Sequence, residues 1–344
     1  MLAITKYQIS VSGLINNKAK QWALDHIDYL NKPMTFFGSS TKLEKGAAKF
    51  DSYVIYLQPA DKIAVNTLCS FAAKAGCKEP CLIDSGQLGM TTGQNAATKR
   101  TILMLMRPDY FKARVLSEID KAERKAVKTG MPALFRLNGT SDLDFSDIYK
   151  ARPASQFYDY SKELSRVRKN TLANYDLTFS GSMYSKQSRA ALRKAVTAGH
   201  RVAMAFNTKL IASDALTIPD NLANFDKTDL RHLDGKVIGA LTRKGSNKAQ
   251  RAIDNSLVDS FFVTHSNLKQ FNDIIAVGGW NMKTQLQLFV EAQQSSVRKY
   301  RAFLEMAFDP IEPLTKRELV ENIKRNPSTW KCFEGWLEGD KLKD

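Results

Sequence analysis

Short runs rich in β-branched and aromatic residues recur along this chain, each closing on a polar or glycine-containing turn and separated from the next by helix-period sequence. Residues 53–57 are stopped by Pro59, and 133–137 run into Asn138-Gly139-Thr140-Ser141-Asp142. Residues 156–162, 176–180, 201–206, 237–241 and 261–264 repeat the pattern. Between them, 94–128 carries apolar residues at helical spacing interrupted at Pro108, and 185–198 reads as a basic helix closed by Gly199. Strands that alternate with helices or long crossovers predict a parallel sheet, and so an α/β fold forming a partial or complete (β/α) barrel. Residues 1–50 read as a helical and extended segment with an amphipathic helix at 16–30, and 51–275 as the barrel-like domain. Residues 276–344 read as a helical C-terminal appendage, with helical patterns at 281–308 and 315–336.

In such folds the C-terminal ends of the strands carry the site. The first strand runs into a loop holding three of the chain's four cysteines, Cys69, Cys77 and Cys81, spaced CxxxxxxxCxxxC; the fourth is Cys332. Lys74, Lys78, Glu79 and Pro80 make this loop too polar for a set of thiols buried as small apolar residues. Three thiolates at one strand mouth suit a metal site with a position left open. Zinc and iron–sulfur centres both accept such donors, and the lack of an evident fourth ligand nearby favours a cluster. The rival is zinc completed by Cys332, a histidine or water.

The charge excludes some classes and favours one. There are 51 Lys and Arg against 35 Asp and Glu, a net +16, which points to a polyanion such as nucleic acid as partner. Candidate phosphate contacts are Lys186, Arg189, Arg193 and Lys194 on the basic helix, and Arg243 and Lys244 in a later loop. A solvated helix face explains the same spacing. The chain has no apolar leader and no stretch able to cross a bilayer, and its cysteines are few and clustered; a cytoplasmic protein with free thiols is expected. The scattered His26, His200, His232 and His265 form no HExxH, and no nucleophile elbow is present, so hydrolase readings lack support. Asp226, Asp229 and Asp234 would be needed for a magnesium-dependent nuclease.

The order of motifs, cysteine loop, then RLNGTSD (136–142), FYDYSK (157–162) and LTFSGS (177–182), resembles the bacteriophage gene-product-eighty-eight-like proteins over roughly residues 50–265. The matching residues are Cys69, Cys77 and Cys81, then Arg136 to Asp142, then Tyr158, Tyr160, Ser161 and Lys162. That family in turn looks like a relative of radical S-adenosylmethionine enzymes. The resemblance implies a 4Fe-4S cluster on the three cysteines, S-adenosylmethionine as a possible cofactor, and Asn138, Ser141, Asp142 and Lys162 lining the site above the cluster. A phage-encoded chain would then work in the host cytoplasm. The leading expectation is therefore an iron–sulfur protein acting on or near nucleic acid. The alternatives are a non-enzymatic nucleic-acid-binding replication factor with a structural zinc or cluster, and a metal-dependent nuclease.

Overall fold

A computed structural model describes residues 3–38, 50–207, 222–226, 231, 238–244, 254 and 256–276 of the chain. Seven strands, β1 (Asp51–Val54), β2 (Ala133–Arg136), β3 (Gln156–Ser161), β4 (Tyr175–Ser180), β5 (Val202–Phe206), β6 (Leu222–Asn224) and β7 (Ile238–Thr242), form one sheet in the order β1-β2-β3-β4-β5-β7-β6. Every pairing is parallel, and the sheet curls into a half-barrel coated by helices. The expected α/β architecture is what the chain adopts.

Parallel strands need crossovers, and the helices supply them. After three N-terminal helices, α1 (Lys6–Val11), α2 (Asn17–Asp25) and α3 (Ile27–Asn31), the link from β1 to β2 contains α4 (Ala72–Ala75), α5 (Thr91–Met106) and α6 (Pro108–Thr129). Then α7 (Ser146–Ala151), α8 (Leu164–Lys169) and α9 (Lys186–Thr197) join successive strands, and α10 (Leu268–Ala276) follows β7. Pro108 splits the long helical run as its sequence requires: it begins α6, where its missing N–H costs nothing. Along α6, Phe111, Val115, Ile119, Ala122 and Ala126 make the buried stripe. Each of the larger three contributes on the order of 1.5–3 kcal/mol by leaving water. Gly130, at φ 67°, ends the helix in the left-handed conformation.

The strands alternate faces. Phe135, Phe157, Leu177, Phe179, Val202, Met204 and Phe206 join the helix-covered core, whereas Leu134 and Tyr158 belong to a small second cluster with Phe50. The N-terminal helices contribute Ile9, Ala19, Ala23 and Leu30 to the main core. Glu118 of α6 holds the same region by accepting the N–H groups of Phe36 (2.9 Å) and Phe37 (3.1 Å).

Three expectations change. The 16–30 helix breaks at His26, whose backbone leaves helical geometry while its ring Nδ1 lies 2.9 Å from the Trp22 carbonyl, crowding the helix's own acceptor. Residues 261–264 are not a strand: Val263 alone bridges Phe206, because β4 stops short and Val263 takes its place beside the top of β5. The three-residue β6 went unseen, being too short to show a period. From 277 on, the expected appendage lies outside the described residues, as does Cys332.

Gly139 sits where the β2 loop crosses β1. Its N–H donates to the Ile55 carbonyl at 3.0 Å, and a Cβ there would stand 2.7 Å from that oxygen and from the Val54 and Tyr56 side chains. We expect Gly139→Ala to destabilise the fold by about 1–3 kcal/mol through this overpacking, read as a lower denaturant midpoint; an unchanged midpoint would contradict the close approach.

Candidate functional site

At the C-terminal ends of β1 to β4 the four sequence motifs meet. The cysteine loop is stitched to the β2–β3 loop: Thr140 Oγ1 donates to the Leu57 carbonyl at 2.5 Å, Asp142 N–H to the Leu68 carbonyl at 3.0 Å, and Cys69 Sγ lies 3.8 Å from the Thr140 carbonyl. It is stitched to the β4–α9 loop as well. Ser182 donates to the Ala75 carbonyl at 2.7 Å, and Ser185 and Ser188 donate to the Lys74 carbonyl at 3.1 and 3.0 Å, so one polar edge holds the C-terminal end of α4. Gly76 then turns the chain toward Cys77 with φ 66°, its Cα packed against the Tyr184 ring so tightly that a Cβ would come within 2.4 Å.

All three thiols are free and half-buried. Burial pushes the Cys69 thiol up to about 12, with Asp142, Cys77 and Cys81 adding to the rise. Burial also raises Cys81, where Cys77 and Asp84 add and Lys162 opposes. Cys69 therefore lies in the field of Asp142 and the other two cysteines, and Cys81 in that of Cys77, Asp84 and Lys162. Among the described residues no group of three His, Cys, Asp or Glu side chains stands placed to hold a metal ion; burial favours the protonated forms of Cys69 and Cys81, and the three thiols do not form a coordination sphere. A metal held here would have to displace the protons that burial keeps on Cys69 and Cys81.

Of the residues expected to line a ligand site, three are occupied internally. Asn138 Oδ1 accepts from Ser141 Oγ and from Leu143 N–H, both at 2.8 Å, while its Nδ2 donates to the Leu143 carbonyl and to Asp159. Asp142 accepts from Lys162 N–H (2.9 Å), Ser161 Oγ (3.0 Å) and Arg166 Nη1 (2.6 Å). Burial still raises the Asp142 carboxyl against the pull of Arg166. Lys162 differs: its ammonium donates to Ser180 Oγ at 2.9 Å and lies 4.5 Å from the centre of the Phe261 ring.

Sequence reading missed Asp159. Fully buried in β3, it accepts Asn138 N–H (3.0 Å), Asn138 Nδ2 (3.2 Å) and the hydroxyls of Tyr149 (3.1 Å) and Tyr175 (3.4 Å), with Arg136 Nε at 3.8 Å. Burial raises it to about 6 although Arg136 and Asn138 oppose the shift. The available signal was a lone acidic residue inside an apolar strand. Tyr158 is buried on the opposite face, and Tyr160 lies under Arg136 at 4.8 Å.

The basic candidates divide. Lys186, Arg193 and Lys194 are exposed on α9. Arg189 instead donates to Asp259 (2.6 Å) and the Met183 carbonyl (2.7 Å), and Arg243 pairs with Asp254 and donates to Asn207 Oδ1 at 2.9 Å. Lys244 pairs with Asp226 at 2.7 Å, and Asp226 also accepts Thr242 N–H. Asp229 and Asp234 lie outside the described residues.

The family model Gene product 88 matches residues 33–256, a span that takes in β1 through β7 and all four motifs. The chain belongs to that family. No curated protein and no solved structure matches it. No helix of this Gene product 88 protein, among the described residues, is long and apolar enough to cross a membrane.

Two outcomes follow from the geometry. Because the folded chain keeps a proton on Asp159 up to about pH 6, whereas an ordinary Asp loses it near 3.8, its contribution to stability is full below the ordinary value and is lost as pH rises through the folded one. Thermal unfolding between about pH 4 and 6 should therefore show a slope amounting to at most about 3 kcal/mol that Asp159→Asn removes; equal slopes in both proteins would refute the assignment. Gly76→Ala should loosen the cysteine loop, and an alkylating reagent should then modify Cys69 and Cys81 about tenfold faster, as a local opening stabilised by 1.4 kcal/mol requires.

Proposed function

We propose that this Gene product 88 protein is a thiolate metal protein that carries an iron–sulfur cluster on Cys69, Cys77 and Cys81. The observation that carries the reading is the presence of three free, half-buried cysteines in one loop at the C-terminal mouth of a parallel half-barrel, with the Lys162 ammonium close enough to act on the Cys81 thiol. A cluster bound there would supply a one-electron couple and an iron open to a ligand. The chain's own residues would prepare its surroundings. Burial withdraws Cys69 and Cys81 partly from water, Lys162 supplies positive charge beside Cys81, and Arg166 neutralises Asp142 so that the carboxylate opposes the thiolates less.

Purified without oxygen, the full chain should contain iron and sulfide in near-equal amounts with broad visible absorbance, both lost in Cys77→Ala. Zinc without sulfide would replace the cluster by the zinc reading, and absence of any metal from freshly purified protein would sink both. The same preparation, reduced, tests S-adenosylmethionine: its reductive cleavage is the outcome that would extend the cluster reading to radical chemistry.

A second reading, contact with nucleic acid, is favoured by the exposed Lys186, Arg193 and Lys194 on α9, whose first turn is bonded to the cysteine loop. If those three touch phosphates, replacing them with Ala weakens DNA binding at low salt and lowers the salt slope by about 2–3. An unchanged slope would remove this face from any such contact.

A further inference from the structure

We propose that Lys162, Ser180 and Phe261 form an oxyanion subsite beside the thiols, built to take the carboxylate or phosphate group of a small molecule. The argument begins with charge. Arg166, Arg189 and Arg243, with side chains only 14–16% exposed, each meet an aspartate. Half-buried Lys162 forms no ion pair among the described residues; its ammonium is held by a neutral hydroxyl and an aromatic face. Asp142, the carboxylate that grips its backbone N–H, acts on the ammonium only from beyond ion-pair distance and is already paired with Arg166 and bonded to Ser161. A cation partly withdrawn from water without a counter-ion is costly, and the ring offsets only part of that cost.

The donors are arranged for an incoming acceptor. An ammonium has three N–H bonds and one is given to Ser180. Ser180 accepts that bond, and its own O–H has no acceptor among the described residues. Two donor atoms 2.9 Å apart, one charged, can address two oxygens of one carboxylate or phosphate, or share one of them.

Tertiary structure creates this clamp. Lys162 follows β3 and Ser180 ends β4, so the pair spans two neighbouring strand ends, on the face where parallel α/β sheets bind ligands. Phe261 arrives because Val263 occupies the edge of β5 that β4 leaves vacant. Asn138, Ser141 and Asp142 are occupied elsewhere, so the anion is assigned to Lys162 and Ser180 alone.

The test uses the full chain with inorganic phosphate or acetate as probe, chloride holding ionic strength constant, and follows the rise in Tm. Wild type should show a saturable rise with at least one probe, and the probe with the lower half-saturation names the group. Lys162→Met should raise the half-saturating concentration at least about tenfold and Ser180→Ala by roughly fivefold. Wild type freed of metal should still show the saturable rise, which separates this subsite from the metal reading. The proposal is overturned if no saturable rise occurs with either probe, or if Lys162→Met and Ser180→Ala both respond as wild type does, since the anion is then held by other cations of this +16 chain. Should Lys162→Met fail to fold, Ser180→Ala decides alone.

Discussion

One buried carboxylate organises the site end of this sheet. β2 and β3 pair only through Leu134 with Gln156 and Phe135 with Phe157; beyond that point the N–H of Asn138 goes to the side chain of Asp159 in β3 and not to a backbone carbonyl. Asp159 thus ends the ladder and turns the chain into the 138–142 loop. A charge in the core is tolerable because Asn138, Tyr149 and Tyr175 surround it with donors and Arg136 stands close. Removing the acceptor would leave several buried donors unmatched, which is worse than never having placed a polar group there.

From that turn the rest of the mouth follows. Thr140 reaches the Leu57 carbonyl, Asp142 reaches Leu68 through its N–H and Lys162 and Arg166 through its carboxylate, and the cysteine loop is thereby held over the strand ends. The β4–α9 loop holds its other side through Ser182, Ser185 and Ser188. The result is a polar rim with positive charge at Lys162 and with the Cys69 and Cys81 thiols raised by desolvation.

Much of this was legible in the sequence because strand and helix periods are local properties. The runs at 133–137, 156–162 and 201–206 gave strands within a residue of their observed ends, and Pro108 announced its own break. The shared position of the cysteines, Asp142, Lys162 and Ser180 at strand ends could also be read, since each follows a recognisable strand. What pattern could not convey was which polar groups remain available. Asn138, Ser141 and Asp142 look like ligand-binding residues as letters, yet each also makes hydrogen bonds within the fold. Arg189 and Arg243 look like phosphate contacts, yet each is committed to an aspartate distant in sequence or across a loop.

By itself the sequence determined the α/β class, the parallel connectivity and the family, because periodicity, turn residues and motif order are properties of neighbours along the chain. Tertiary structure alone decided that Asp159 would be the hub, that Phe261 would lie over Lys162, and that β6 would pair with β7 at the sheet edge. Those outcomes depend on residues tens of positions apart competing for the same donors, acceptors and sheet edges, and such competition is settled only when the chain is packed.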